Sequence, residues 1–366
     1  MFEHLTLAQK IGQLLMVGFL GTIPSQPDIQ TLSHHIAESR VGGIISYKRN
    51  IEDAKQIAYL NEFLSRAAQE KGLPLLVKGV DQEGQGVLRL NTKNGFSDTP
   101  SAKEIAAKPF PEVRSLYGEL ARNVKEAGFT LDFAPCVDLD IAGVDGSAIG
   151  KWGRSYGNDV ETVVSYGGIM IEALREQGCL SCVKHYPGHG SAGKKKESAV
   201  SGEGDKNSDT HLGFVDVTDV WEERELEPFF ALGPKAGAVM TAHVFNRKLD
   251  PDNPATLSSV ILSRLRAQCP NVTIITDCLQ MEAIQQTCGS FKNAVIRALQ
   301  AGGDVIVYAN NPRKLGQPSA PGFEPGPDLP ERFLAAVQNG LRRGELTEAQ
   351  INEKFERVMA MKARLV

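Results

Sequence analysis

Several short apolar runs in this chain end on side chains that carry charge or a proton. GVDQEG brings Asp81, VKHYPGHG brings Lys184, His185 and His189, MTAHV brings His243, and IITDCLQM brings Asp277. A carboxylate at such a place can act as nucleophile or base, an imidazole can give or take a proton near neutral pH, and an ammonium group can hold an anion or a hydroxyl. A single aspartate after an apolar run is as readily a helix cap, because its oxygen satisfies the first free N–H groups of the next helix. Several polar run ends gathered at one mouth are harder to assign to capping. The two histidines around Pro187–Gly188 have the chemistry of metal ligands, but no third ligand follows at helical spacing, so a hydrogen-bonding loop is expected, with its glycines letting backbone approach a substrate. Cys179 and Cys182 lie in an apolar run with no second pair behind them, and the six cysteines are scattered, so buried free thiols are expected rather than a zinc or redox site.

Those side chains need elements to hold them. Eight apolar runs rich in Val and Ile recur, at 14–19, 41–47, 73–81, 131–139, 180–186, 237–245, 272–277 and 304–309. Between most of them lie segments with helical period, among them 51–69, 113–127 and 161–177. Near-continuous apolar strands alternating with helices indicate parallel strands buried on both faces. Eight such units suit a single-domain (β/α)8 TIM barrel better than an open doubly wound sheet, and no GxGxxG follows the first strand. A Pro- and Gly-rich stretch at 311–330 predicts a loop, followed by helices at about 331–342 and 347–364 that form a C-terminal helical extension, at about 331–366, of one domain spanning 1–366. Lys194–Lys196 fall in a polar stretch and predict a solvated loop.

The 366 residues carry 40 Lys and Arg against 44 Asp and Glu, a net charge of −4, which speaks against a nucleic-acid or acidic-lipid binder. With 42% hydrophobic residues the composition is that of an ordinary globular chain. No apolar stretch is long enough to span a bilayer, and MFEHLTLAQKIGQLLMVGF predicts an amphipathic helix leading into a strand rather than a secretory signal. A soluble cytoplasmic protein, monomeric and without a nucleic-acid or membrane partner, is expected.

GVDQEG with Arg89, FAPCVDLD, GRSYG, KHYPGHG, SDTHL, RELEPF, TAHVF with LDPDNPATLS, and TDCLQM follow one another from residue 79 to 281. In this order they resemble the β-N-acetylglucosaminidases of glycoside hydrolase family 3, of the NagZ type. The resemblance implies a TIM barrel with no metal or organic cofactor. It also implies an exo-acting retaining hydrolase that removes terminal N-acetylglucosamine from cell-wall (1,6-anhydro)muropeptides in peptidoglycan recycling. By the matching motifs, Asp277 corresponds to the nucleophile, His211 to the general acid/base and Asp209 to its partner. Asp81, Arg89, Arg154, Lys184 and His185 correspond to the residues that hold the sugar ring.

The residue types suit that reaction. A retaining glycosidase needs a carboxylate to trap the oxocarbenium-like centre and an acid to protonate the leaving oxygen. A histidine of ordinary pKa about 6.5 beside an aspartate can be that acid and then, once neutral, the base toward water. Three departures from the family pattern stand out. Gly86 replaces an arginine, which puts one ionic contact beneath the site in question but leaves Asp81 and Arg89 in register. Cys278 stands where many members have a second aspartate. Residues 191–208 make a long insertion ahead of His211, whose polar composition predicts a lid. A β-N-acetylglucosaminide phosphorylase and a catalytically silent sugar-binding barrel are the alternatives. A histidine acid/base repels phosphate less than a carboxylate would, whereas retention of Asp277, His211 and Asp209 argues against the silent barrel.

Overall fold

In the computed structural model of the chain, residues 2, 4–143, 147–193, 209, 213–312 and 320–365 are described. The lysine run 194–196, His211 and most of the expected lid at 191–208 lie outside them.

Each of the eight apolar runs contains a strand of one parallel sheet. These are β1 (Leu15–Gly18), β2 (Gly43–Ser46), β3 (Val77–Val80), β4 (Leu131–Asp132), β5 (Leu180–Tyr186), β6 (Gly237–Thr241), β7 (Thr273–Ile275) and β8 (Ile306–Tyr308). The strands pair in sequence order, with β8 returning to β1 through Leu15↔Ile306. Between β7 and β8 the ladder shrinks to the bridge Ile275↔Val305, supported by Asp304 and Val305 N–H groups donating to the Ile274 carbonyl, and this closes the barrel. Sheet and helices share one apolar core that includes Ile44, Val80, Val183, Val239 and Ile306, all buried.

The helices follow from their patterns. Asp53 caps Ala54–Gln69 by accepting from the Lys55 and Gln56 N–H groups, and Ile57, Leu60, Leu64 and Ala68 make its buried stripe. Asp159 caps Val160–Glu176 in the same way. The two expected C-terminal helices are Leu329–Arg342 and Glu348–Lys362, the second opened by a Thr347/Gln350 capping box. That last helix packs beneath the barrel: Lys362 Nζ donates to Gln13 Oε1 and to the Gly42 carbonyl, both at the N-terminal ends of strands. The floor is thereby covered and the C-terminal mouth is left for chemistry.

A two-stranded antiparallel hairpin, Gln82–Gly84 with Val87–Leu88, rises from the end of β3. The eight-run pattern does not predict it, because its strands are too short to show a period. At its base the Gln82 Oε1 accepts from the Arg89 and Leu90 N–H groups, while the Gln82 N–H donates to Asp132. This clamp turns the chain back so that Arg89 returns toward Asp81.

Candidate active site

The strand ends bring the polar residues together as the sequence predicts, with one exception. Lys184 on β5 is buried and donates to Asp81 at the end of β3 (2.7 Å) and to Glu83 in the hairpin (2.7 Å). Arg89 approaches the other Asp81 oxygen at 3.7 Å. Arg154, from the loop after β4, donates to both Glu83 oxygens at 2.8 and 2.7 Å. The exception is His243, whose ring is buried between Thr256 and the Cys278 carbonyl and so holds two top loops together instead of facing a cavity.

Burial alone would raise the Asp81 carboxyl, but Lys184 and then Arg89 outweigh it and hold it below its usual range. Glu83 follows the same logic more strongly: burial pushes up, and Arg154 and Lys184 pull it well down. Burial would strip Lys184 of its proton, yet Asp81 and Glu83 raise its pKa above the ordinary lysine value. Two carboxylates and two cations therefore stay ionised in a site largely shielded from water, which is the condition for strong charge-assisted hydrogen bonds to a ligand.

His185 is oriented from behind. Its Nδ1 lies 2.7 Å from Asp138 Oδ2, and the Asp138 carboxylate also accepts from the His185 and His189 backbone N–H groups. Burial would raise the Asp138 pKa, but His185 brings it down to about 2. His185 Nε2 is left on the cavity side, 3.4 Å from the Arg154 guanidinium. The first three residues of KHYPGHG thus complete β5 and only residues 187–190 form the expected loop, with Asp138 bonding both parts. Asp138 and Cys136 are the near neighbours that sequence spacing did not supply. Among the described residues, Cys136, Asp138 and His185 are a group whose ligand atoms lie within 4.8 Å of one another. The Asp138 oxygens there already serve His185 and His189, and burial lifts the Cys136 thiol well above its ordinary range, so metal binding would have to break that network.

Asp277 follows β7 and does not cap a helix: its Oδ1 accepts from the adjacent Cys278 N–H at 2.7 Å, and the helix Glu282–Cys288 begins after Met281. Cys278, in place of the family's second aspartate, receives the Ala309 and Gln280 N–H groups on its sulfur, and burial pushes its thiol up to about 12. Gly86, in place of arginine, adopts φ +94°, and a Cβ there would meet the Trp152 carbonyl oxygen at 2.6 Å, so the loop around Trp152 fills the ground an arginine would need. Cys179 and Cys182 are buried free thiols.

Two cavities meet at Asp277. The larger, about 810 Å³, is lined by Asp81, Arg89, Arg154, Lys184 and His185, with Tyr47, Gln280, Glu282 and Asn311 among the other polar residues of its wall. The smaller, about 230 Å³, shares Arg154, His185 and Asp277 and adds Asp209, His189 and Trp152. Seven of the eight residues singled out from the sequence therefore line these two spaces, and the eighth, His211, lies outside the described residues. Glu83 and Asp138 were missed. Glu83 sits inside a motif already noted, DQEG, and Asp138 in FAPCVDLD, but nothing in the letters says which neighbour each one would face.

Comparison with known proteins agrees over nearly the whole chain. Residues 6–361 match the Glycosyl hydrolase family 3 N terminal domain. The β-hexosaminidase LpqI of Mycobacterium tuberculosis is 31% identical over 365 residues, 96% of this chain and 82% of that protein. A β-hexosaminidase of Hydrogenovibrio crunogenus is 32% identical over 310 residues, covering 80% of each chain. Among solved structures, a glycoside hydrolase family 3 β-N-acetylglucosaminidase from a Paenibacillus species superposes with a TM-score of 0.81 at 30% identity. That match covers 99% of this chain and 63% of the Paenibacillus chain. A β-N-acetylhexosaminidase from Beutenbergia cavernae gives 0.80 at 25% identity, with 98% of this chain and 99% of that chain covered.

Proposed function

Since the chain belongs to glycosyl hydrolase family 3 and is a glycoside hydrolase, we propose that it is an exo-acting retaining β-N-acetylhexosaminidase working through a covalent sugar–Asp277 ester. The observation that carries this reading is that Asp277 lines both cavities, the larger of which it shares with the ionised cluster of Asp81, Lys184 and Arg154. Asp81, Lys184, Arg89, Arg154 and His185 would hold the hydroxyl and acetamido groups of a terminal N-acetylglucosamine in the larger cavity. The Asp277 carboxylate attacks the anomeric carbon as the bond to the leaving oxygen breaks, and the imidazolium of His211 gives that oxygen its proton. Water then attacks the anomeric carbon, neutral His211 takes the proton from water, and Asp277 is released. Asp209, which lines the smaller cavity, would orient His211 and favour its charged form. The motif order further supports cell-wall muropeptides as the natural substrate class, with a role in peptidoglycan recycling.

Intact-protein mass spectrometry with a slow 5-fluoro N-acetylglucosaminyl substrate should show an adduct mapping to Asp277, and NMR should show retained configuration. An adduct elsewhere, or an inverted product, would remove the assignment. His211→Ala and Asp209→Asn should lose more rate on substrates with poor leaving groups than on activated ones, because protonation matters most there. Equal losses on both would count against the acid role. Release of N-acetylglucosamine from a purified disaccharide–anhydro muropeptide, followed by chromatography, tests the substrate class.

A further inference from the structure

Three fully buried polar side chains meet beside Asp277. Thr241 ends β6, His243 follows it, and Thr256 comes from the short turn Ala255–Leu257. Thr256 Oγ1 lies 2.7 Å from Thr241 Oγ1 and 2.7 Å from His243 Nδ1, and the Thr256 N–H donates to the Ala242 carbonyl at 3.1 Å. The Cys278 carbonyl, 3.0 Å from His243 Nε2, can only accept, so Nε2 carries a proton and donates it. Thr241 Oγ1 accepts from the Asp277 N–H at 3.4 Å. The trio therefore grips the backbone on both sides of Asp277. Thr241 holds the 276–277 peptide and His243 the 278–279 peptide, while the 277–278 peptide between them donates its N–H to Asp277 Oδ1 at 2.7 Å. The ends of the same stretch are tied across the seam to β8: the Val305 carbonyl accepts from the Thr276 N–H at 2.9 Å and the Val307 carbonyl from the Leu279 N–H at 3.0 Å.

We propose that His243 is a positioning residue for the nucleophile. Acting through the 278–279 peptide, with Thr241 as its counterpart on the 276–277 peptide, it fixes the plane between them. Asp277 Oδ1 then stays on the backbone, and Oδ2 is the oxygen presented to the anomeric carbon. The proposal rests on the covalent Asp277 reading. Its physical basis is that a peptide unit is planar and turns as a whole, so the 277–278 N–H can swing only if a neighbouring unit gives way. One neighbour is held by a hydroxyl and the other by an imidazole, both out of reach of water that could replace them. A carboxylate that must meet one carbon in line with a departing oxygen tolerates little error in that direction.

The test follows the slow 5-fluoro N-acetylglucosaminyl substrate by intact-protein mass spectrometry over time, in the full-length protein. The final adduct yield counts competent molecules, the limiting rate reports the aim of Asp277, and the half-saturating concentration reports binding. His243→Asn, whose shorter amide meets Thr256 but falls short of the Cys278 carbonyl, should reach full yield at a limiting rate lower by about 10²-fold. Its half-saturating concentration should stay within about threefold of native. His243→Gln, whose amide nitrogen can stand where Nε2 stands, should recover most of the rate. Thr241→Val, which removes the oxygen facing the Asp277 N–H, should lose about tenfold in the same way, and it carries the test alone if His243→Asn does not fold. Native limiting rates, a yield that falls in step with the rate, a change confined to the half-saturating concentration, or no recovery in His243→Gln would each overturn the proposal. A native chain that forms no adduct at Asp277 would remove the parent reading and the proposal with it.

Discussion

The mouth and the floor of this barrel are both built on buried ions, and they use them for opposite ends. At the floor Asp304 is fully buried between Arg266 (2.7 Å) and Arg357 (2.8 Å), and it also accepts from the Ile274 N–H at 2.9 Å. Its partners come from three separate segments, so the carboxylate fastens two helices to the gap between β7 and β8. At the mouth Lys184 and Glu83 are as deeply buried, but the cluster they form borders a cavity of about 810 Å³, and Asp81 and Arg89 face into it. Charge satisfied on every side is structure. Charge satisfied on all sides but one is a binding surface. Burial, charge and ion-pair distance do not separate the two cases; what does is whether an open space adjoins the network.

That contrast makes predictions that a few variants can break. The largest effect is expected for Asp277→Ala, with at least about a 10³-fold loss of kcat/KM and a melting temperature close to native, read by 4-nitrophenyl N-acetylglucosaminide hydrolysis and calorimetry. A large fall in melting temperature would move Asp277 to the structural side. Next is Asp304→Ala, which strands two arginines: a loss of about 3–5 kcal/mol of stability is expected in urea unfolding, with kcat unchanged in the folded protein. Loss of activity without loss of stability would erase the distinction.

Glu83→Gln sharpens the comparison, because Glu83 supports the mouth without being assigned to the substrate. It should cost both stability and about 10²-fold in kcat/KM through displacement of Arg154 and Lys184, with a change in only one of the two placing Glu83 wholly in one region. The smallest effect concerns Lys362 at the floor. Burial lowers its pKa from 10.5 to about 7, so between those values the unfolded chain binds more protons than the folded one and stability rises with pH. Methionine does not titrate, so from pH 7 to 9 the stability of the native chain relative to Lys362→Met should shift in favour of the native chain by about 1 kcal/mol or more. A difference that stays flat over that range would mean that Lys362 keeps its proton as an exposed lysine does.

The fold was legible because a parallel barrel writes its strands as continuous apolar runs, and all eight runs contain a strand. Asp81, Lys184, His185 and Asp277 were legible because they stand at the ends of those runs, whereas Arg89, Arg154 and Asp209 were reached only through the motif resemblance. The hairpin was not, since Gln82–Gly84 and Val87–Leu88 are held by a side chain, Gln82, and by no periodicity. The grip of Asp138 on His185 joins positions 47 residues apart, and local pattern carries no trace of such a pair. Trp152 escaped notice for a related reason: an exposed aromatic in a Gly-rich stretch means little until a cavity is found beside it.

The bond from Lys362 to Gln13 spans 349 residues, and β1 finds its second neighbour only in β8. During synthesis the growing chain therefore carries two open strand edges, one on β1 and one on β7, until residues 306–308 have left the ribosome. Exposed edges of buried, apolar strands are places where chains stick to one another. Nascent chains halted before β8 should accordingly be prone to aggregation or retained by chaperones, whereas those long enough to include the last helix should resist protease.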